Sequence, residues 1–136
     1  MVVRVFRIDR QQLAHQVTGP GGVLTRAVAR LARRITNNAS QRAPVDTGNL
    51  RRMIATDPIT FTPGHVHGGV TARAKYSRWV HDGTSPHVIR PRGRKALRFT
   101  VDGRTVFARY VNHPGTRARP FLLNAAREEI SRMGSR

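Results

Sequence analysis

Apolar residues recur along this chain in two rhythms, and each change of rhythm marks a predicted element. The opening VVRVFRI sets Val3, Val5 and Arg7 against Arg4, Phe6 and Ile8, an alternation that predicts a first strand. Asp9 can then cap a short helix running to about Val17, where Gly19-Pro20-Gly21-Gly22 breaks the chain. From Val23 to Ala39 the rhythm is helical, with Leu24, Ala27, Val28, Leu31 and Ile35 on one face. Arg26, Arg30, Arg33 and Arg34 fall on another face. That basic stripe suits phosphate or an acidic neighbour, and equally a solvated surface.

Pro44 stops this helix, and Leu50 to Ala55 and Val66 to Ala74 read as strands around a Pro-Gly-rich connection. Tyr76, Trp79 and Val80 return to helical spacing before Asp82-Gly83-Thr84 turns the chain. The segment SPHVIRPRGRK that follows reads as a mobile basic loop, spanning residues 84–95, that orders against a partner. Asp102-Gly103 between two β-type runs predicts a hairpin with a two-residue turn. Its register pairs Phe99 with Val106 and Leu97 with Ala108, sharing a face with Val101 and Tyr110, while Arg98 and Thr100 point the other way. Pro120 can start a last helix striped by Leu122, Ala126, Ile130 and Met133. The expected core comprises Leu24, Val28, Leu31, Ile35, Leu97, Phe99, Val106, Phe121 and Leu122.

Composition narrows this picture. A chain of 136 residues fits a single domain, 1–136, with residues 1–22 as a peripheral strand and short helix. At 38% apolar residues the core is small, so the protein is expected to lean on neighbours. Without cysteine there is no disulfide framework and no thiolate metal site. Apolar runs are short and interrupted by arginines, which predicts a soluble chain with no membrane partner. Charge is the outlier: 25 Lys and Arg against 7 Asp and Glu give +18, and only Lys75 and Lys95 are lysines. Polyanions and acidic proteins are the expected partners, and arginine's planar fork serves carboxylate and phosphate alike.

The stretch RAPVDTGNLR, residues 42–51, contains Asp46-Thr47-Gly48, the tripeptide of retrovirus-type aspartic proteases. Such an enzyme needs two carboxylates sharing a proton, and the tripeptide should follow a buried strand. Here it follows the polar helix end TNNASQRAP. An Asp two residues before Gly is also a common turn builder, its carboxylate bonding local N–H groups, so Pro44, Asp46, Thr47 and Gly48 read as a turn motif. Six histidines raise a metal reading, above all His65-Val66-His67, whose side chains would share one face of a strand, with His81 and His87 as further ligands. No familiar ligand spacing accompanies them, and neither a serine elbow nor a phosphate-binding glycine motif is present. Neither catalytic residues nor a metal or cofactor are expected.

Three blocks together resemble the gene-ten-like tail-component family of long-tailed bacteriophages, the tail-completion or head–tail joining proteins. They are Ala43-Pro44 with Asp46-Thr47-Gly48, Leu50 and Arg51; Tyr76-Ser-Arg-Trp-Val-His-Asp-Gly-Thr84; and Gly115-Thr-Arg-Ala-Arg-Pro-Phe-Leu122. Order and spacing agree over about residues 23 to 133. His81 stands where the family usually has Glu, and Asn124 where Pro is common, so an ion pair made by that Glu does not carry over.

The resemblance implies a non-enzymatic α+β virion subunit, with the long helix and a C-terminal helix packed on an antiparallel sheet. It further implies a hexameric ring at the neck or top of the tail, meeting neck, connector, tail-tube or tail-terminator proteins after assembly in the host cytoplasm. Double-stranded DNA would cross the lumen without sequence specificity. A ring one subunit thick, roughly 30 Å, faces only about 18 phosphates at one per 1.7 Å. Six copies carry roughly 108 excess positive charges. Most of that charge therefore belongs to other contacts. The expected partner interface is Tyr76, Trp79, His81, Arg90, Arg92, Arg94, Lys95 and Phe121, with Trp79 and Phe121 reading equally well as core. A small basic DNA- or RNA-binding protein is the alternative.

Overall fold

The strongest helical spacing in the chain becomes its longest helix. The computed structural model describes residues 10–62 and 64–135, the side chains of residues 10, 12 and 13 excepted, so the expected strand Val3–Ile8 and the Asp9 cap lie outside the described residues. Helix α1, Arg10–Thr18, leads through the glycine turn into helix α2, Val23–Arg42. Helix α2 ends where Pro44 forces the preceding residue out of helical geometry: Ala43 is extended, at φ −60 and ψ 130. A single helical turn, α3 (Asn49–Arg52), follows. The expected strand Leu50–Ala55 is thus half helix. Gly48, at φ 76, redirects the chain and Arg52 N–H bonds back to its carbonyl, so extended structure begins only at Ile54.

Strands β1 (Ile54–Thr56), β2 (Thr60–Thr62), β3 (His65–His67) and β4 (Val70–Ala72) come next. The expected run Val66–Ala74 is divided at Gly68-Gly69. β1 pairs antiparallel with β4, Ala55 opposite Thr71, and β2 pairs with β3, Phe61 opposite Val66. A last helix, α5 (Phe121–Gly134), starts directly after Pro120 and packs along α2.

The chain divides into two compact units, residues 1–75 with 121–136 and residues 76–120. In the first, fully enclosed Ala39 and Ala125 mark the places where helices approach closely, and Leu50, Ile54 and Phe121 are its large buried side chains. Val28, Leu31, Ile35 and Leu122 are half-buried. Leu24 is exposed, because it sits in the first turn of α2 beside exposed Val23. On α5 the buried positions are Phe121, Ala125 and Glu129, while Ile130 and Met133 of the expected stripe face outward. The helix is turned about one residue from the apolar reading, and a carboxylate holds the inward position.

The second unit contains helix α4 (Ser77–Asp82) and strands β5 (His87–Ile89), β6 (Leu97–Val101), β7 (Arg104–Ala108) and β8 (Val111–His113). β6 and β7 form the expected hairpin in the expected register, Phe99 opposite Val106 and Leu97 opposite Ala108. Asp102 and Gly103 both have positive φ, 48 and 76, as a type I′ turn requires. β5 pairs with β8, His87 opposite His113. Part of the expected loop 84–95 is therefore a strand, and irregular chain runs from Arg90 to Ala96. Among the described residues of 76–120 none is buried. The expected core positions Leu97 and Phe99 are half-covered, and Val106 is exposed.

Candidate functional site

The turn block is built from its ends inward. Ala43 and Leu50 are buried on either side of it, and the Arg51 guanidinium donates to the Ser40 carbonyl at 2.8 Å, tying α3 back to the end of α2. Between them Val45, Asp46 and Thr47 are exposed. The Thr47 hydroxyl, and not the Asp46 carboxylate, accepts the Asn49 N–H, at 3.4 Å. Among the described residues Asp46 has no hydrogen-bond partner, which corrects the expectation that its side chain builds the turn. The tripeptide lies between two helices rather than after a strand, in the setting of a structural corner.

The second and third blocks meet. Thr84 and Thr116 exchange backbone hydrogen bonds at 2.9 and 3.0 Å, and the Thr84 hydroxyl also accepts the Thr116 N–H. The Arg119 N–H donates to the Val80 carbonyl at 3.0 Å. Both flanking glycines are dictated by this approach. A Cβ on Gly83 would stand 2.6 Å from the Thr116 carbonyl oxygen, and one on Gly115 would stand 2.3 Å from that of Thr84. Both also hold positive φ, so the two Gly-Thr pairs form one clasp that side chains would pry open. The second and third blocks are thus two halves of one contact.

Around the clasp, Tyr76 is 37% and Trp79 59% exposed. His81 is half-buried and turned to Asp82, Nδ1 to Oδ1 2.6 Å, and Arg78 approaches the other carboxylate oxygen at 3.7 Å. Asp82, on the last turn of α4, thus holds both His81 and Arg78. Phe121 is 3% exposed, a core residue of the first unit, which removes it from the expected interface. Arg90, Arg92, Arg94 and Lys95 are all exposed.

The basic stripe divides. Arg26, Arg30 and Arg33 are exposed, whereas Arg34 pairs with Glu129 at 2.8 Å. Arg34 belongs to a polar seam that apolar periodicity missed. Arg34, Asn38 and Arg42, one turn apart on α2, face Glu128, Glu129 and Arg132 on α5. The Asn38 amide donates to Glu129 at 3.0 Å and to Glu128 at 3.3 Å, Arg42 reaches Glu128, and Arg132 holds Glu129 at 3.0 Å. These bonds hold both carboxyls below the usual carboxylate value: the Asn38 amide contributes most, burial opposes it, and the guanidiniums add to the lowering. The available signal was the i, i+4, i+8 spacing of Arg34, Asn38 and Arg42, together with Glu128-Glu129, the chain's only adjacent acidic pair.

His65 and His67 stand side by side on β3, rings 6.4 Å apart and within 10° of parallel. Among the described residues no group of three or more His, Cys, Asp or Glu could hold a metal ion, and no helix is long and apolar enough to cross a membrane.

Residues 23–83, from the start of α2 to the first glycine of the clasp, match the family described as "Bacteriophage HK97-gp10, putative tail-component". Over that segment the chain is similar to the gene-ten-like tail-component family. The likeness is to a tail-component family and takes in just under half of the chain. No curated protein and no solved structure matches the chain. The tail-component match takes in the turn block and α4, and it ends at Gly83, the first glycine of the clasp.

Proposed function

We propose that this tail component is a non-enzymatic subunit that completes the tail of a phage and joins it to the head connector. It assembles as a ring, six copies in the arrangement the family resemblance implies, at the neck or the top of the tail. DNA passes through the lumen without sequence specificity. The supporting observation is residues 76–120: a unit of 45 residues with no buried side chain, whose short hairpins are marginal alone and gain stability once neighbours cover them. A structural subunit finds that cover in its assembly. The charge agrees, because a lumen that held DNA with every arginine would resist ejection, whereas arginines aimed at protein neighbours would not.

An early stop codon in this gene, followed by electron microscopy of the lysate, tests the reading. The expected outcome is filled heads beside unattached tails of normal length. Aberrant or absent tails would move the protein into tail assembly. Normal infectious particles would remove the proposal and favour the basic nucleic-acid binder, whose DNA affinity should fall steeply and linearly on a log–log plot against salt.

A further inference from the structure

Residues 76–120 leave two kinds of surface uncovered side by side. In the β6–β7 register Phe107 lies opposite Arg98, on the face shared by Thr100 and Thr105, and Phe107 is 66% exposed. On the opposite face Leu97 and Phe99 are half-covered, but Val101 and Val106 toward the tip are exposed. The hairpin therefore presents apolar side chains on both faces. The irregular segment 90–96 feeds straight into β6, which sets Arg92, Arg94 and Lys95 within a few residues of Arg98. Across 76–120 ten Arg and Lys stand against two carboxylates, Asp82 and Asp102.

We infer that this hairpin and its basic lead-in dock on an acidic virion protein other than this chain, one presenting an apolar patch rimmed by Asp and Glu; the inference rests on the tail-component reading above. A second copy is a poor occupant. Of the described carboxylates, Asp57, Asp82, Glu128 and Glu129 are already ion-paired within the chain. That leaves Asp46 and Asp102, too few to face such a surface, and two copies of it would repel. DNA is a poor occupant for a different reason. Phosphates reward the arginines, but exposed Val88, Ile89, Val101 and Val106 gain nothing from a polyanion. Aliphatic side chains need an apolar counter-surface, and arginine with aromatic anchors inside a charged rim is the composition of protein interfaces.

The test places the photo-crosslinker p-benzoylphenylalanine at position 107 by amber suppression during phage growth, a conservative change at an exposed aromatic. Purified particles are irradiated and the crosslinked peptides sequenced. The expected result is an adduct to a different virion protein, within a segment carrying an excess of Asp and Glu. An adduct to a second copy of this chain, to DNA, or to a neutral or basic segment overturns the inference, as does the absence of any adduct, while leaving the tail-component reading intact. Absence of the chain itself from purified particles, checked by mass spectrometry with the unmodified phage, is the separate result that overturns the virion reading and the inference with it.

Discussion

Glu129 shows how one residue can reset an element. Apolar spacing assigned the inward face of the last helix to Leu122, Ala126, Ile130 and Met133, yet the buried line runs through Phe121, Ala125 and Glu129. A charged side chain occupies such a place only when hydrogen bonds replace its water, and Asn38, Arg34 and Arg132 do so here. Because both Glu128 and Glu129 are lowered below 4.5 in the folded chain, the stability they contribute is complete above that value. It is lost as pH falls through their lowered values. Glu129→Gln should therefore lower the melting temperature at pH 7 and make stability less dependent on pH below about 4.5. Calorimetry from pH 7 to pH 2 checks this, and an unchanged acid limb would remove the seam from the account. The pairing between the two helices was hidden in the sequence because 86 to 95 residues separate the partners. The turn at Asp46 was legible as a turn, but not its donor and acceptor, since Asp46 and Thr47 are equally suited to the bond.

At the level of elements, local chemistry was legible and covering was not. The hairpin is specified within twelve residues by alternation and Asp102-Gly103, so its register could be read without knowing anything else. The long helix was equally plain, and Pro44 fixed its end. Burial depends on what lies opposite, which explains why Leu24 and Leu50 exchange importance: the first belongs to the apolar stripe yet is 39% exposed, and the second was read as strand yet is 3% exposed. Leu50→Ala should cost about 2–5 kcal/mol and Leu24→Ala less than about 1 kcal/mol. Urea denaturation of the two variants checks the order, and equal losses would contradict the packing described here. The division of Val66–Ala74 at Gly68-Gly69 follows the same logic. A Cβ on Gly68 would stand 2.6 Å from a Val28 methyl, so the connection passes against α2 instead of continuing as strand.

For the whole molecule, the mixed α and β class was legible in the apolar rhythms. Of the three blocks that carried the family resemblance, the first and nearly all of the second lie within the matched residues 23–83. The division into two units was not legible. Nothing in the hydropathy of 76–120 distinguishes an apolar position that is covered within the chain from one that awaits a neighbour. Reversing Arg92 and Arg94 to Glu tests that wait directly. Both side chains are exposed and unit 2 holds few acids, so the variant should fold normally and fail to join, leaving filled heads beside free tails. Unchanged infectious titre would show that the loop is not an attachment point. The clasp between Gly83-Thr84 and Gly115-Thr116 adds one more consequence. Residues 85–114 depart from and return to a single point, like a sleeve sewn on at one cuff. Closing a longer excursion on that seam costs only about 0.6 kcal/mol per doubling of its length. That seam can therefore close a longer or a differently charged segment at little cost to the pairing that holds it.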